Sequence, residues 1–176
     1  LHIEYFREPP RADEELAAQP RRFLHKVFYT LSGSANYFDC FKYPPETAYI
    51  DAMEEPPPLP WSWLSEQELD YFVEEYTRSG FTGGLNWYRS MDMKWQQRKP
   101  FEGVRSAVPA YFLGSENDVD LEGFHGEDPI GLMRAIFPDL RQVRMVSDAG
   151  HMVQLEASEK VNAILLDYLA EIANSG

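Results

Sequence analysis

Phe23, Leu24, Val27, Phe28 and Leu31 recur at helical spacing behind Pro20, a residue suited to a first helical turn. This pattern predicts a helix from Pro20. Between residues 32 and 62 the periodicity fails. Pro44-Pro45 and Pro56-Pro57-Pro58-Leu59-Pro60 cannot be helix interior, so the stretch reads as one long loop, of a length usually functional or mobile. Ser65-Glu66-Gln67-Glu68 matches a capping box, predicting a helix to about Ser79 that Gly80 stops. Phe81 to about Trp95 reads as one further helix, opened by Gly83 and Gly84. Residues 1–99 therefore form a mainly helical region.

The rhythm changes after residue 99. Val108-Pro109-Ala110-Tyr111-Phe112-Leu113 is a short apolar run, read as a buried strand. Pro129 to Phe137 reads as a helix, and Val143 to Val146 as a second strand. Ala157 to Ala173 is a helix with Val161, Ile164, Leu165, Tyr168, Leu169 and Ile172 on one face. Strand, helix, strand, helix predicts a parallel sheet of the α/β class over residues 100–176.

Composition narrows the function classes. Hydrophobic residues make up 44% and aromatics 14% of the 176 residues, enough for a packed core. The formal net charge is −13, which repels phosphate backbones and argues against nucleic acid as a partner. Cys40 is the one cysteine, so the chain has neither an internal disulfide nor a cysteine-based metal site, and no cofactor or metal is expected. Cys40 also lacks the basic setting a nucleophile needs. No apolar run approaches the ~20 residues of a membrane helix, and no signal peptide is visible, so a cytoplasmic setting is expected.

Ligands of open α/β sheets bind beyond the carboxyl ends of the strands. The first predicted strand ends in Gly114-Ser115-Glu116-Asn117-Asp118, the second in Ser147-Asp148-Ala149-Gly150-His151. An acid and a histidine on adjacent strand ends can form an orienting pair, in which the carboxylate fixes the imidazole tautomer and stabilises its charged form. The plainer alternative, Asp118 capping a turn and His151 a helix, is left open by pattern alone. Asp148 shares the histidine's own loop, a poorer geometry than an acid on a neighbouring strand. Trp87 and Tyr88 read, by composition alone, as core aromatics. His25 and His125 read as surface or structural residues, and the carboxylates from Glu66 to Glu75 as a solvated helix face.

The segment Pro109 to Asp118, then Gly150-His151 and the final helix, resembles the C-terminal part of α/β-hydrolase-fold enzymes. Ser79-Gly80-Phe81-Thr82-Gly83-Gly84-Leu85-Asn86-Trp87-Tyr88-Arg89 and Glu4-Tyr5-Phe6-Arg7-Glu8-Pro9 resemble signatures of the cap domain of epoxide hydrolases. The resemblance spans essentially the whole chain. It implies a helical cap over residues 1–99, followed by the C-terminal part of an α/β-hydrolase core over 100–176. It also implies addition of water to an apolar epoxide through a covalent ester on an aspartate. Asp118 would be the orienting acid, His151 the base that activates water, and Tyr88 a cap donor to the epoxide oxygen. Trp87 and Tyr5 would be substrate-contacting aromatics.

Two departures from that pattern matter. No oxyanion-hole segment and no strand–nucleophile–helix turn occurs, and Asp92, Asp128 and Asp148 lack a suitable context. The resemblance thus implies an N-terminal half carrying the nucleophile, supplied as a separate or unreported chain, and an apolar face left uncovered without it. The position of the family's first cap tyrosine is His2, which makes His2 the second donor, with Tyr5 as substitute only under a register shift. Non-catalytic binding, ester hydrolysis and dehalogenation of haloalkanes are the competing functions.

Overall fold

The structure, a computed structural model, describes residues 2–44, 46–123 and 126–174; His125 lies outside the described residues. The chain divides into two compact units, one of Leu1–Thr30 with Asn36–Glu102 and one of Leu31–Ala35 with Gly103–Gly176. The second unit therefore takes five residues from inside the helical region.

The first unit is helical. Its elements are α1 (His2–Arg7), α2 (Arg11–Ala18), α3 (Pro20–Thr30), a 3-10 turn (Tyr37–Lys42), α4 (Tyr49–Ala52), α5 (Glu66–Ser79), α6 (Thr82–Arg89) and α7 (Met91–Arg98). Packing of α3 on α5 and of α1 on α6 organises it. The apolar stripe of α3 buries Phe23, Leu24 and Phe28, as its spacing predicts, against a core that includes Leu16, Ile50 and Leu69. At the start of α5, Ser65 Oγ accepts from the Glu68 N–H at 3.2 Å, and the Glu68 carboxylate accepts from the Ser65 N–H at 2.7 Å. Gly80 ends the helix at φ 74°, a region that costs side-chain-bearing residues strain.

Two expectations are corrected here. The long loop contains the 3-10 turn and α4, elements too short to leave a periodic signal; the first is capped by Asn36, whose side chain accepts from the Phe38 N–H at 3.1 Å. The helix expected from Phe81 to Trp95 is two helices, broken at Ser90 (φ −91°, ψ 3°). The Ser90 hydroxyl donates to the Trp87 carbonyl at 3.1 Å, the local bond by which serine competes with helix propagation.

The second unit holds β1 (Ala110–Ser115), α8 (Val119–Gly123), α9 (Pro129–Ile136), β2 (Leu140–Val146), α10 (Val153–Glu156) and α11 (Ser158–Asn174). β1 and β2 pair in parallel, Phe112 opposite Val143 and Ser115 opposite Val146, with an irregularity between Ala110 and Tyr111. The strand predicted from Val108 begins at Ala110, because its partner begins opposite at Leu140, and its central residues are half-buried. On α11, Val161 and Tyr168 are buried, and the Tyr168 hydroxyl donates to the Phe112 carbonyl at 2.9 Å. Ile164 is half-buried, and the rest of the predicted apolar face is not covered: Leu165, Leu169 and Ile172 are exposed, Leu169 by 61%. Two strands offer α11 too little surface to bury its whole stripe.

Candidate active site

In the second unit, parallel pairing brings the carboxyl ends of β1 and β2 side by side, and the loops that leave them carry Asp118 and His151. His151 Nδ1 lies 3.0 Å from Asp118 Oδ1. An ionised carboxylate has no proton to give, so Nδ1 carries the proton and donates, leaving the Nε2 lone pair as a base. The hydrogen bond to Asp118 raises the His151 pKa above the usual histidine range, against the lowering effect of partial burial; the charges of Asp118, Asp120 and Glu156 act in the same direction as the bond.

Local bonds hold both partners. Asp118 Oδ1 also accepts from the Asp120 N–H at 2.9 Å, which fixes the carboxylate on the turn after β1. The His151 N–H donates to the Leu31 carbonyl at 2.8 Å, and the fully buried Ser115 hydroxyl donates to the Gly150 carbonyl at 2.5 Å. Asp148 stands exposed in the turn at φ 59°, a conformation Asp tolerates; the carboxylates that pair with the ring are Asp118 and, at 3.8 Å, Asp120. Asp118, Asp120 and His151 are also the group of described residues whose ligand atoms come within 4.8 Å of one another, so a cation would bind there if anywhere among them. The direct imidazole–carboxylate bond accounts for that closeness without one.

In the first unit, His2, Tyr37, Tyr49 and Tyr88 form an aromatic cluster. The His2 ring packs edge-on to Tyr88, centroids 5.8 Å apart at 89°, and to Tyr37 at 5.6 Å. Burial lowers the His2 pKa to about 4, so the ring is neutral at neutral pH. The buried Tyr37 hydroxyl is hydrogen-bonded to His2 Nδ1. In the tautomer in which Tyr37 donates to Nδ1, the ring proton sits on Nε2 and neutral His2 offers an N–H donor. Tyr49, buried beside Tyr37, has its phenol pKa raised well above normal, chiefly by burial.

The segment around Tyr88 is anchored by its neighbour. Arg89 pairs with Asp13 on α2, and Thr82 Oγ1 donates to the same carboxylate at 2.7 Å. The bond from Arg89 lowers the Asp13 pKa. Both ends of α6 are thereby tied to α2.

Other residues singled out in the sequence lie outside these clusters, except Tyr5, whose ring centre is 6.3 Å from that of Tyr49. Trp87 is 64% exposed, with the Lys94 ammonium 3.1 Å from its ring centre, which corrects the reading of it as a core aromatic. The Tyr5 ring lies under the Arg11 guanidinium at 4.6 Å, and its buried hydroxyl has no hydrogen-bond partner among the described residues. His25 stacks on Trp61 at 5.1 Å. Burial pushes the Cys40 thiol up to about 11, an unreactive state. Asp92 pairs with Arg7, and Asp128 caps α9 through the Gly131 N–H at 2.8 Å.

Sequence reasoning missed Asp120, Glu156 and Tyr37. The first two left a signal, an acid two residues beyond Asp118 and another five beyond His151. Tyr37 left none, since nothing in the spacing of residues 2 and 37 foretells their contact.

No protein-family model matches the chain. Epoxide hydrolase A of Mycobacterium tuberculosis (strain ATCC 25618 / H37Rv) is 35% identical over 171 residues, covering 96% of this chain and 52% of that protein. Epoxide hydrolase 1 of Siraitia grosvenorii is 28% identical over 175 residues, covering 94% of this chain and 51% of that protein. The crystal structure of epoxide hydrolase A from Mycobacterium thermoresistibile matches with a TM-score of 0.84 at 37% identity, over 97% of this chain and 52% of that one. An epoxide hydrolase from an endophytic Streptomyces matches with a TM-score of 0.89 at 29% identity. The chain spans about half the length of these relatives.

Proposed function

The chain belongs to the epoxide hydrolase family, and from that premise we propose that it supplies the base, the orienting acid and both oxygen donors of an epoxide hydrolase. The nucleophilic aspartate comes from an N-terminal half. In this reading residues 1–99 are the cap, and residues 100–176 are the C-terminal part of the α/β-hydrolase core. The substrate is a small apolar epoxide, a choice supported by the aromatic surroundings of His2 and Tyr88.

The chemistry runs in two steps. A carboxylate oxygen of the nucleophile forms a bond to one epoxide carbon, and the bond from that carbon to the ring oxygen breaks. The oxygen takes a proton from the Tyr88 hydroxyl, and His2, in the tautomer protonated at Nε2, hydrogen-bonds to it. These neutral donors act where negative charge develops. His151 Nε2 then removes a proton from water, and the hydroxide adds to the ester carbonyl. The acyl–oxygen bond breaks, the leaving alkoxide takes the proton of the carboxyl group re-formed on the nucleophile so that the vicinal diol departs and a carboxylate remains, and the proton held by His151 returns to the Tyr88 phenolate. Asp118 stabilises the imidazolium while it lasts.

The observation that carries the epoxide assignment is the packing of His2 against Tyr88, with Tyr37 hydrogen-bonded to His2 Nδ1. A histidine–acid pair alone serves esterases and dehalogenases equally well. Tyr88→Phe in the complete enzyme tests the assignment. Epoxide turnover falls about 10²–10³-fold, the cost of one such donor, while hydrolysis of an activated ester falls far less. Equal losses on both substrates, or unchanged epoxide turnover, would overturn it.

A further inference from the structure

We infer that Glu156 is a positioning residue for His151, acting through a carboxylate that clamps two backbone N–H groups of crossing loops. The inference takes its catalytic meaning from the reading of His151 as base, but its geometry stands apart from that reading.

Gly33 and Gly150 meet at a backbone-to-backbone crossing. A Cβ on Gly150 would lie 2.4 Å from the Gly33 nitrogen and 2.6 Å from the Leu31 carbonyl oxygen. One on Gly33 would lie 2.8 Å from the Ala149 carbonyl carbon. Only glycine fits at either place. This closeness creates a polar problem. The N–H groups of Gly33 and Gly150 are both donors and cannot pair with each other, and a buried unpaired donor is costly.

Glu156 answers it with two acceptors on one side chain. Its Oε2 accepts from the Gly33 N–H at 2.8 Å, and its Oε1 accepts from the Gly150 N–H at 3.0 Å. The carboxylate is half-buried, and that burial raises its pKa although both bonds oppose the rise. A neutral, single-acceptor side chain cannot make both bonds.

The consequence falls on the next residue. His151 follows Gly150 directly, and its own N–H is held by Leu31 O in the same crossing segment. Glu156 therefore sets where the peptide before His151 sits against residues 31–33, and so where the ring meets Asp118. The short distance along the chain makes this possible, since Glu156 closes the short helix α10 five residues beyond His151 and the chain folds back on the loop.

Because removing Glu156 also removes a charge near the ring, the His151 pKa is a poor readout. The exchange rate of the His151 Nδ1 proton and the exchange protection of the Gly33 and Gly150 amides, read by NMR on the full chain, are better. In Glu156→Ala, both amides lose protection by roughly tenfold, and the ring proton exchanges faster by a similar factor. Amides of β1 and β2 keep their protection. Glu156→Gln, which keeps one carbonyl acceptor, falls between Ala and the parent. A ring proton unchanged in Glu156→Ala would overturn the inference, leaving Glu156 a structural brace. A Gln variant no better than Ala would trace the effect to charge and overturn it equally. If the Ala variant does not fold, Glu156→Gln decides alone, by a ring proton that exchanges faster than, or just as in, the parent. None of these outcomes depends on turnover, so failure here and failure of the epoxide reading are distinguishable.

Discussion

At the residue scale, two histidines are tuned in opposite directions by elementary causes. His151 is raised by a carboxylate, and His2 is lowered to about 4 by burial. The signs separate their effects. In the proposed mechanism water activation needs neutral His151, so the hydrolytic step should slow as pH falls through a pKa above the usual histidine value of about 6.5. Asp118→Asn moves that inflection down and costs on the order of 10²–10⁴-fold in rate, measurable in a pH profile of single-turnover ester decay. For stability, the raised His151 contributes below the unfolded pKa and loses its contribution as pH rises through the folded one; half-exposed, it is worth under about 1 kcal/mol. His2 works the other way. The unfolded chain takes up its proton first, so the fold loses on the order of 2–3 kcal/mol as pH falls from 6.5 toward 4. His2→Gln removes that part of the acid dependence, which melting curves between pH 7 and 4 would show. The His151–Asp118 pair was legible in the sequence, because strand ends advertise themselves by an apolar run that stops at a polar turn. The hydrogen-bond partner of His2 was not, because the contact of residues 2 and 37 depends on how helices pack.

At the element scale, the parts with strong local causes were legible. The capping box of α5, its glycine stop and the apolar stripe of α3 each rest on a few neighbouring residues, and the structure holds all three. Ser65→Ala therefore costs about 1 kcal/mol and Gly80→Ala about 1–2 kcal/mol, by chemical denaturation. The break at Ser90 was not legible, since a single serine inside a helical pattern is ordinary. Nor was α4, whose four residues are helical because Tyr49, Ile50 and Met53 are buried by distant elements. The glycine crossing gives the sharpest test at this scale. Gly150→Ala puts a methyl 2.4 Å from the Gly33 nitrogen, with backbone on both sides and no side chain able to yield. It should destabilise the second unit by about 3 kcal/mol or more and broaden the His151 ring resonances, unlike Gly83→Ala, whose Cβ meets nothing within 4 Å.

At the scale of the whole molecule, the uncovered stripe on α11 is the chief anomaly. Leu165, Leu169 and Ile172 follow the periodicity of a buried helix face yet stand exposed, as an apolar surface meant for a partner would. The double change Leu165→Lys and Leu169→Lys should leave the unfolding free energy of this chain within about 0.5 kcal/mol, because neither side chain is buried in it. The central claim, that this chain provides the second half of a two-step epoxide opening, is tested most directly by trapping the ester. With His151→Gln in the complete enzyme, styrene oxide should accumulate as a covalent adduct, seen as one substrate mass added to the intact protein and mapped to an aspartate outside these 176 residues. Undiminished turnover with no adduct, or an adduct on a residue of this chain, would contradict the account.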